Sequence, residues 1–311
     1  TRQAQKTCKS SLYREFKAAA EALVSVTGAN DFHEVPLRLV NAKRLPVREG
    51  DRDFGAIKRF EDKYRALIEG CTSPRVDAWI SRIVGRLIIG RSVCTAMRIA
   101  PAHIATNRHC LFDEAGSPIS GISAVDVHVE FQGQAGKAIP VCGVVQVPSS
   151  QLFSDINPGN DFVILRIGER DDSIGRVGLL PPEDIRAGTD QPTELELVSV
   201  WPGSGALNLS GGLDLVTYTG GYCLVIKKGI ENGRGCFLHQ CGSLPGGSGA
   251  PAFERNAGQP QYAGKPLRVA GLHRGDASDI GSSSRCQEIL PGVRSNNAAT
   301  ILPQEIFDAL R

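Results

Sequence analysis

The hydrophobic positions change their period partway along the chain. In residues 1–88 they recur every three or four positions, which places them on one face of an α-helix. Three such stripes are present, formed by Leu12, Phe16, Ala19 and Leu23, by Ile57, Phe60, Tyr64 and Leu67, and by Val76, Trp79, Ile80 and Ile83. The spacing predicts a helical N-terminal segment, with a charged, proline-containing connector at 34–53 between its first two helices.

From about residue 89 onward the pattern is typical of β-strands. Residues 125–131 (VDVHVEF) alternate strictly between apolar and polar side chains, as a strand with one buried face does. Further short apolar runs, separated by Gly, Pro, Asn and Asp, predict strands at 102–106, 138–147, 162–167, 194–201, 213–219, 223–228 and 266–273. Many short strands with such turns favour an antiparallel sandwich or barrel. A proline-rich stretch divides this region near residue 185, and 302–311 has the pattern of a short closing helix.

Composition and charge restrict the function only slightly. A net charge of +2 gives no indication of a nucleic-acid partner. The longest apolar run, at 79–90, is interrupted by arginines, so no membrane span is predicted. Nine cysteines favour a secreted or periplasmic protein with disulfides, although a cytoplasmic location stays open.

One cysteine-rich segment, CFLHQC at 236–241, suggests a metal site. Its ligands would be Cys236, His239 and Cys241. These side chains cannot all face the same way on a strand, so we predict no metal and no cofactor.

Three short segments carry the residue types of nucleophilic catalysis. LPGGSGAPAF (244–253) holds Ser248 among glycines, TNRHC (106–110) ends an apolar strand with His109, and NDFVILRI (160–167) begins another with Asp161. A serine nucleophile needs a base, a group that orients the base, and donors for the oxyanion. The order His, Asp, Ser places the first two in the first half of the strand region and the serine in the second.

Together these segments resemble the chymotrypsin-fold (trypsin-like) serine peptidases. IATNRH (104–109) and CGSLPGGSGAP (241–251) are most similar to the glutamyl endopeptidase branch, and the resemblance covers about residues 88–311. It implies a mostly β fold of two six-stranded antiparallel β-barrels. The first barrel (89–185) would carry His109 and Asp161, and the second (186–311) would carry Ser248 and a C-terminal helix. Residues 1–88 would then be a helical extension acting as a pro-segment, a docking module or a packing module.

The resemblance also implies roles for individual residues. Ser248 would attack the scissile carbonyl, His109 would serve as general base and then general acid, and Asp161 would orient the imidazole. The backbone N–H groups of Gly246 and Ser248 would form the oxyanion hole. A disulfide between Cys94 and Cys110 would brace the histidine loop. For the other cysteines, Cys241–Cys286 and Cys8–Cys71 are two suggestions among many pairings.

Specificity follows from the same resemblance. Gly242, six positions before the serine, leaves the first specificity pocket without the acidic group that binds Arg or Lys. Ser243 and His273 match positions that hold a glutamate carboxylate, Arg274 adds positive potential, and residues 273–275, including Gly275, would pair with the substrate backbone. The alternative is a packed histidine beside a pocket for small or apolar side chains.

Other motifs in the sequence favour this interpretation over its rivals. Ser204 in PGSGAL follows Asp161 too closely to be the nucleophile of a second barrel, and RIVG at 82–85 is interpreted as a helix end entering the first strand. Ala250 is not the glycine that an α/β-hydrolase elbow requires. We therefore expect a serine endopeptidase acting on polypeptides. The alternatives are a protease-shaped non-catalytic binding protein, and a dedicated protease whose one partner is recruited by the N-terminal helices.

Overall fold

The structure is a computed structural model. It describes residues 10–29, 32, 35–42, 44–45, 47–74, 78–90, 92–112, 127–134, 137–145, 161–174, 177–188, 190–201, 214–218, 223–231, 234–243, 246–255, 268–276 and 297–310. Most of the regular structure is β, with few helices. The predicted mostly β fold is therefore confirmed.

The N-terminal part forms a helical unit with its own core. Its helices are α1 (Ser10–Glu21), α2 (Val24–Thr27), α3 (Val35–Asn41) and α4 (Phe54–Cys71). The predicted stripes of α1 and α4 face each other, with Phe16 and Tyr64 fully buried and their ring centroids 5.3 Å apart. All described residues of the buried apolar cluster in this unit lie within residues 16–71.

Two details of this part differ from the expected pattern. Helix α3 lies inside the stretch interpreted as a connector, where Val35 and Leu39 are buried. The third predicted helix is reduced to α5 (Ile80–Ile83), and strand β1 (Thr72–Pro74) precedes it. Val76 lies outside the described residues. Helix α5 ends where β2 begins at Val84, which confirms the interpretation of RIVG.

A closed six-stranded barrel follows. Its strands are β2 (Val84–Ile89), β3 (Ser92–Ala100), β4 (His103–Thr106), β5 (Val127–Phe131), β6 (Ile139–Val144) and β7 (Val163–Ile167), in the order β2-β3-β4-β7-β6-β5. The alternation that predicted β5 corresponds to its burial, since Val127, Val129 and Phe131 point into the barrel core.

The second half is a nine-stranded sheet. It comprises β1 with β8 (Gly178–Leu179), β9 (Leu195–Trp201), β10 (Asp214–Tyr218), β11 (Val225–Glu231), β12 (Arg234–His239), β13 (Pro251–Glu254), β14 (Arg268–Asp276) and β15 (Asn297–Ile301). Helix α6 (Gln304–Ala309) follows it. The path is β1-β10-β9-β13-β14-β15-β12-β11, with β8 alongside β14.

Six strands of this sheet curl until their ends meet. The amide of Leu195 donates to the carbonyl of Cys223 at 2.6 Å, and that of Val225 donates to Thr193 at 3.0 Å, which brings β11 back beside β9. The expected six-stranded unit is thus recognisable as β9, β13, β14, β15, β12 and β11. Strands β1, β8 and β10 are additions to it, and β1 comes from the segment expected to be helical.

An apolar cluster lies between the two β units. It combines Met97 and Ile164 of the first barrel with Val200 and Leu272 of the second sheet. These side chains are fully or almost fully buried, so the two β units pack directly against each other. Thr95 of β3 also contacts the loop between β12 and β13, which contains Ser248. None of the helices in the described ranges has the length and apolar composition needed to cross a membrane.

Most of the cysteines within the described residues are oxidised. Cys94 bonds to Cys110, the pair that the resemblance implies, and Cys223 bonds to Cys241. The suggestion of a Cys241–Cys286 bridge is therefore wrong, because Cys223 occupies the Cys241 sulfur. Cys71 and Cys236 are disulfide-bonded as well, Cys142 is a free thiol, and Cys8 lies outside the described residues.

Candidate active site

His109 and Asp161 are brought together by the pairing of β4 with β7. The register pairs Thr106 with Val163, so the 3₁₀ turn after β4 meets the residues just before β7. The Nδ1 atom of His109 lies 2.7 Å from Oδ2 of Asp161, and the His109 backbone N–H donates to Oδ1 at 3.0 Å. The side-chain amide of Asn107 donates to the Asp161 carbonyl at 2.8 Å. The carboxylate therefore holds both the backbone and the ring of His109.

The environment keeps Asp161 ionised. Burial by itself raises the pKa of this carboxyl, but the contacts with His109 and Arg274 outweigh it and bring the pKa to about 2. A lowered carboxyl pKa stabilises the folded state at pH values above the unfolded pKa. That contribution is lost as the pH falls through the folded pKa. Asp161 is thus an anion throughout the neutral range.

Thr95 of the first barrel holds the loop that contains Ser248. The backbone N–H of Thr95, on β3, donates to the carbonyl of Ser248 at 2.8 Å, and its hydroxyl donates to the carbonyl of Gly246 at 2.9 Å. Sequence reasoning missed Thr95. Its role arises from a contact between residues 151 positions apart, for which the local sequence gives no signal.

Gly249 is the tightest point of the same loop. Its φ is +84°, and an added Cβ would overlap the Thr95 carbonyl oxygen and the Thr106 hydroxyl. We expect Gly249→Ala to lower the free energy of unfolding by about 3 kcal/mol, because strain and overlap act together. Thermal and denaturant unfolding would measure this. Gly143→Ala is the matched control, since a Cβ there meets open space. Equal stability of the two variants would contradict the expectation.

The loop presents two backbone donors. Across the residues that the structure describes, neither the Gly246 nor the Ser248 N–H has an acceptor, whereas both carbonyls are engaged by Thr95. Gly246 has a φ of +86°, a conformation that glycine adopts without strain. These two N–H groups are the pair that sequence analysis assigned to an oxyanion hole.

Arg274 lies between Ser248 and Asp161. The Ser248 hydroxyl donates to the Arg274 carbonyl at 3.2 Å, and Nε of Arg274 donates to Oδ2 of Asp161 at 2.9 Å. The hydroxyl thus points at this carbonyl, and it makes no hydrogen bond to the His109 ring within the described chain. Bonds between a nucleophile and its base often tighten only when substrate binds.

His273 forms a buried pair with His239. Nδ1 of His273 lies 3.3 Å from Nε2 of His239, while the amide of Cys241 donates to Nδ1 of His239 at 3.2 Å. We assign the proton of neutral His239 to Nε2, because a backbone N–H can only donate. His239 therefore donates to Nδ1 of His273, and the His273 proton is on its Nε2.

Burial makes both rings neutral. It lowers the pKa of His239 to about 3, against a contact with the Ala298 backbone that raises it. Burial, with His239 and His109 nearby, lowers the pKa of His273 well below its usual value. His273 also makes two backbone hydrogen bonds to the loop that contains Ser248: its carbonyl accepts from the Gly249 N–H at 2.8 Å, and its N–H donates to the Ala250 carbonyl at 2.8 Å. Of the other predicted specificity residues, Ser243 and Gly275 are half-buried.

His239 was considered in the sequence only as a metal ligand. The structure groups its ring with Cys223 and Cys241, with potential ligand atoms within 4.8 Å of one another, and Cys236 is not part of this group. The two sulfurs are bonded to each other, so neither is the thiolate that a metal would need. The pairing of His239 with His273 could have been anticipated only by aligning β12 with β14 through β15.

Comparison with known proteins identifies the fold. No protein-family model and no curated protein sequence matches the chain. Among solved structures, a Glu endopeptidase in complex with MPD matches with a TM-score of 0.52 and 13% identity, over 77% of this chain and 94% of that one. The chain therefore has the fold of the chymotrypsin-like serine peptidases. At this identity, the likeness shows the fold alone.

A second solved protein also matches. It is the Rv3671c protease of M. tuberculosis H37Rv, in two inactive forms with 14% and 15% identity and TM-scores of 0.41 and 0.39. The matches cover 76% and 74% of this chain, and 93% and 91% of the others. These scores are too low to support a further argument.

Proposed function

We propose that the protein is a serine endopeptidase. The observation that supports this most directly is the 2.7 Å contact between His109 and a buried, ionised Asp161, beside a serine held among glycines. In the proposed reaction, Ser248 Oγ attacks the scissile carbonyl carbon while Nε2 of His109 takes the hydroxyl proton. The imidazolium then gives that proton to the leaving amine as the C–N bond breaks. Water repeats the sequence on the acyl-enzyme.

The backbone supports the charge that develops on the substrate. In the tetrahedral intermediate, the carbonyl oxygen becomes an oxyanion, and the N–H groups of Gly246 and Ser248 are the donors for it. The Ser248 N–H shares its peptide group with the Gly247 carbonyl, which accepts from the Ala250 N–H at 2.9 Å. Thr95 holds the carbonyls that follow the two donors, so the loop is restrained before substrate arrives. Pre-positioned donors of this kind typically contribute about 10²- to 10³-fold each to kcat.

We further propose that the enzyme prefers an acidic residue, glutamate, before the scissile bond. His273 is neutral, buried next to the nucleophile loop, and carries its proton on the ring nitrogen that does not face His239. A neutral imidazole with one fixed N–H is a donor suited to a carboxylate. Ser243 would supply a hydroxyl as a second donor, and Gly275 would present its backbone to the substrate.

One observation favours a different function. The Ser248 hydroxyl donates to the Arg274 carbonyl instead of to His109, an arrangement that a protease-shaped binding protein could keep permanently. The helical unit at the N-terminus offers a further variant, a dedicated protease that recruits one partner. The disulfides are typical of an oxidising compartment, so we propose a secreted or periplasmic location.

A fluorophosphonate probe tests the proposed function. It forms a covalent bond only with a serine whose base and oxyanion donors are assembled, so we expect wild-type protein to be labelled on Ser248. The Ser248→Ala variant should remain unlabelled, and Ser81→Ala should label like the wild type. Absence of label from the wild type, in full-length chain that is shown to be folded, would favour the binding-protein alternative.

A further inference from the structure

The guanidinium of Arg274 approaches the carboxylate of Asp161. Its Nε donates to Oδ2 of Asp161 at 2.9 Å, and the same oxygen lies 2.7 Å from Nδ1 of His109. The Arg274 side chain is 16% exposed and that of Asp161 is 8% exposed, so this ion pair is largely shielded from water. A shielded charge pair is weakened little by salt. One carboxylate oxygen is therefore shared by two donors.

A β-bulge explains why the side chain turns this way. In the pairing of β14 with β15, His273 lies opposite Ala299 and Gly275 lies opposite Ala298, so Arg274 is an extra residue on its strand. Gly275 completes the bulge with a φ of +139°, which a residue with a Cβ adopts only under strain. A bulge re-aims the side chain at its site, and bulges are frequent beside active sites. The backbone is thus shaped to direct Arg274 at Asp161.

We propose that Arg274 is a positioning residue that fixes the Asp161 carboxylate and places a positive charge close to the ring of His109. The effect of Arg274 on catalysis rests on the proposed function. Its effect on the side chains of Asp161 and His109 does not, because that effect follows from their positions and charges.

The expected direction follows from the charges. An anionic Asp161 stabilises the protonated imidazole of His109, and a guanidinium on the same oxygen opposes that effect. Replacing Arg274 with a neutral residue is therefore expected to favour the protonated form of the imidazole. The His109 side chain is 41% exposed, so the effective dielectric constant is roughly 40, between the values for a protein surface and for water. At a separation of roughly 6 Å, one unit charge then shifts a titration by about one pH unit.

In the part of the chain that the structure describes, the other titratable and charged groups near His109 and Asp161 lie on three elements. Arg108 precedes His109 in the turn after β4, His273 comes from β14, and His239 stands behind His273 on β12. The two histidines are neutral over the relevant range because burial lowers the pKa of each. Arg108 is retained in every variant described below.

The test compares Arg274→Gln with wild type. Glutamine keeps a hydrogen-bond donor and removes the charge. We expect the acid limb of the pH profile of kcat/KM to move upward by about one pH unit, equally for substrates with Glu or Ala before the scissile bond. Arg274→Lys keeps the positive charge, so the acid limb of its pH profile should coincide with that of the wild type. Arg268→Gln, which removes the same charge from the same strand, should leave the limb in place.

A second readout does not require catalysis. The ring of His109 can be titrated by NMR in the Ser248→Ala background, with and without Arg274→Gln. The protonation midpoint should rise by about one pH unit when Arg274 is replaced. An unchanged midpoint in folded protein would overturn the proposal. A loss confined to KM for the Glu substrate would instead place the guanidinium in the specificity pocket.

The two readouts also separate this proposal from the proposed function. If Ser248 is not labelled by the fluorophosphonate and yet the His109 midpoint shifts, the endopeptidase assignment fails and the role of Arg274 stands. If Ser248 is labelled and the midpoint does not move, the endopeptidase assignment stands and the proposed role of Arg274 fails.

Discussion

Asp161→Asn is expected to lower kcat by about 10⁴-fold. The asparagine side chain can present its NH₂ group to Nδ1 of His109, which places the ring proton on Nε2 and leaves no acceptor for the serine proton. It would also leave the Arg274 guanidinium, only 16% exposed, without its anionic partner. The loss should appear in kcat with KM little changed, because neither effect involves substrate binding.

Steady-state kinetics on a peptide substrate would measure this loss. Asp172→Asn is a suitable control, because that carboxylate is exposed and its ion pair with Arg170 lies at the surface. The control should retain full activity. If Asp161→Asn retained more than about a tenth of kcat, the roles of Asp161 and His109 in the reaction would have to be reassigned.

The fold was predictable where local pattern and burial agree. The alternation at 127–131 and the stripes of α1 and α4 correspond to buried faces in the structure. Strand β1 was not predictable, because Thr72–Pro74 becomes a strand only by pairing with β10, far along the chain. Helix α3 was missed because its seven residues lie in a segment rich in proline and charge.

In the candidate site too, some residues were predictable from local sequence and others depend on contacts between distant parts of the chain. His109, Asp161 and Ser248 each belong to a short segment with a distinctive local sequence, so they could be singled out from the sequence alone. Thr95 could not be, because it acts through contacts between the two β units. The direction of Arg274 was not predictable either, since it depends on a bulge that only the strand register reveals.

The preference for glutamate should depend mainly on His273. His273→Phe keeps a ring of similar size and removes both ring nitrogens, so a glutamate carboxylate would enter the pocket without its donor. A site built to hydrogen-bond a substrate group loses discrimination strongly when that bond is removed. We expect the ratio of kcat/KM for Glu over Ala substrates to fall by at least about 10²-fold, with the Ala substrate little affected.

Two further variants test whether the preference for glutamate depends specifically on the His273 ring. His239→Phe leaves His273 in place but removes the N–H that fixes its tautomer, so the ratio should fall by about tenfold, less than for His273→Phe. His128→Phe, on the polar face of β5, is the control and should not change the ratio. If the wild type cleaved after Ala or Leu but not after Glu, His273 would be a packed core histidine. The neutral His239–His273 pair would then serve to position the nucleophile loop, through the backbone bonds from His273 to Gly249 and Ala250.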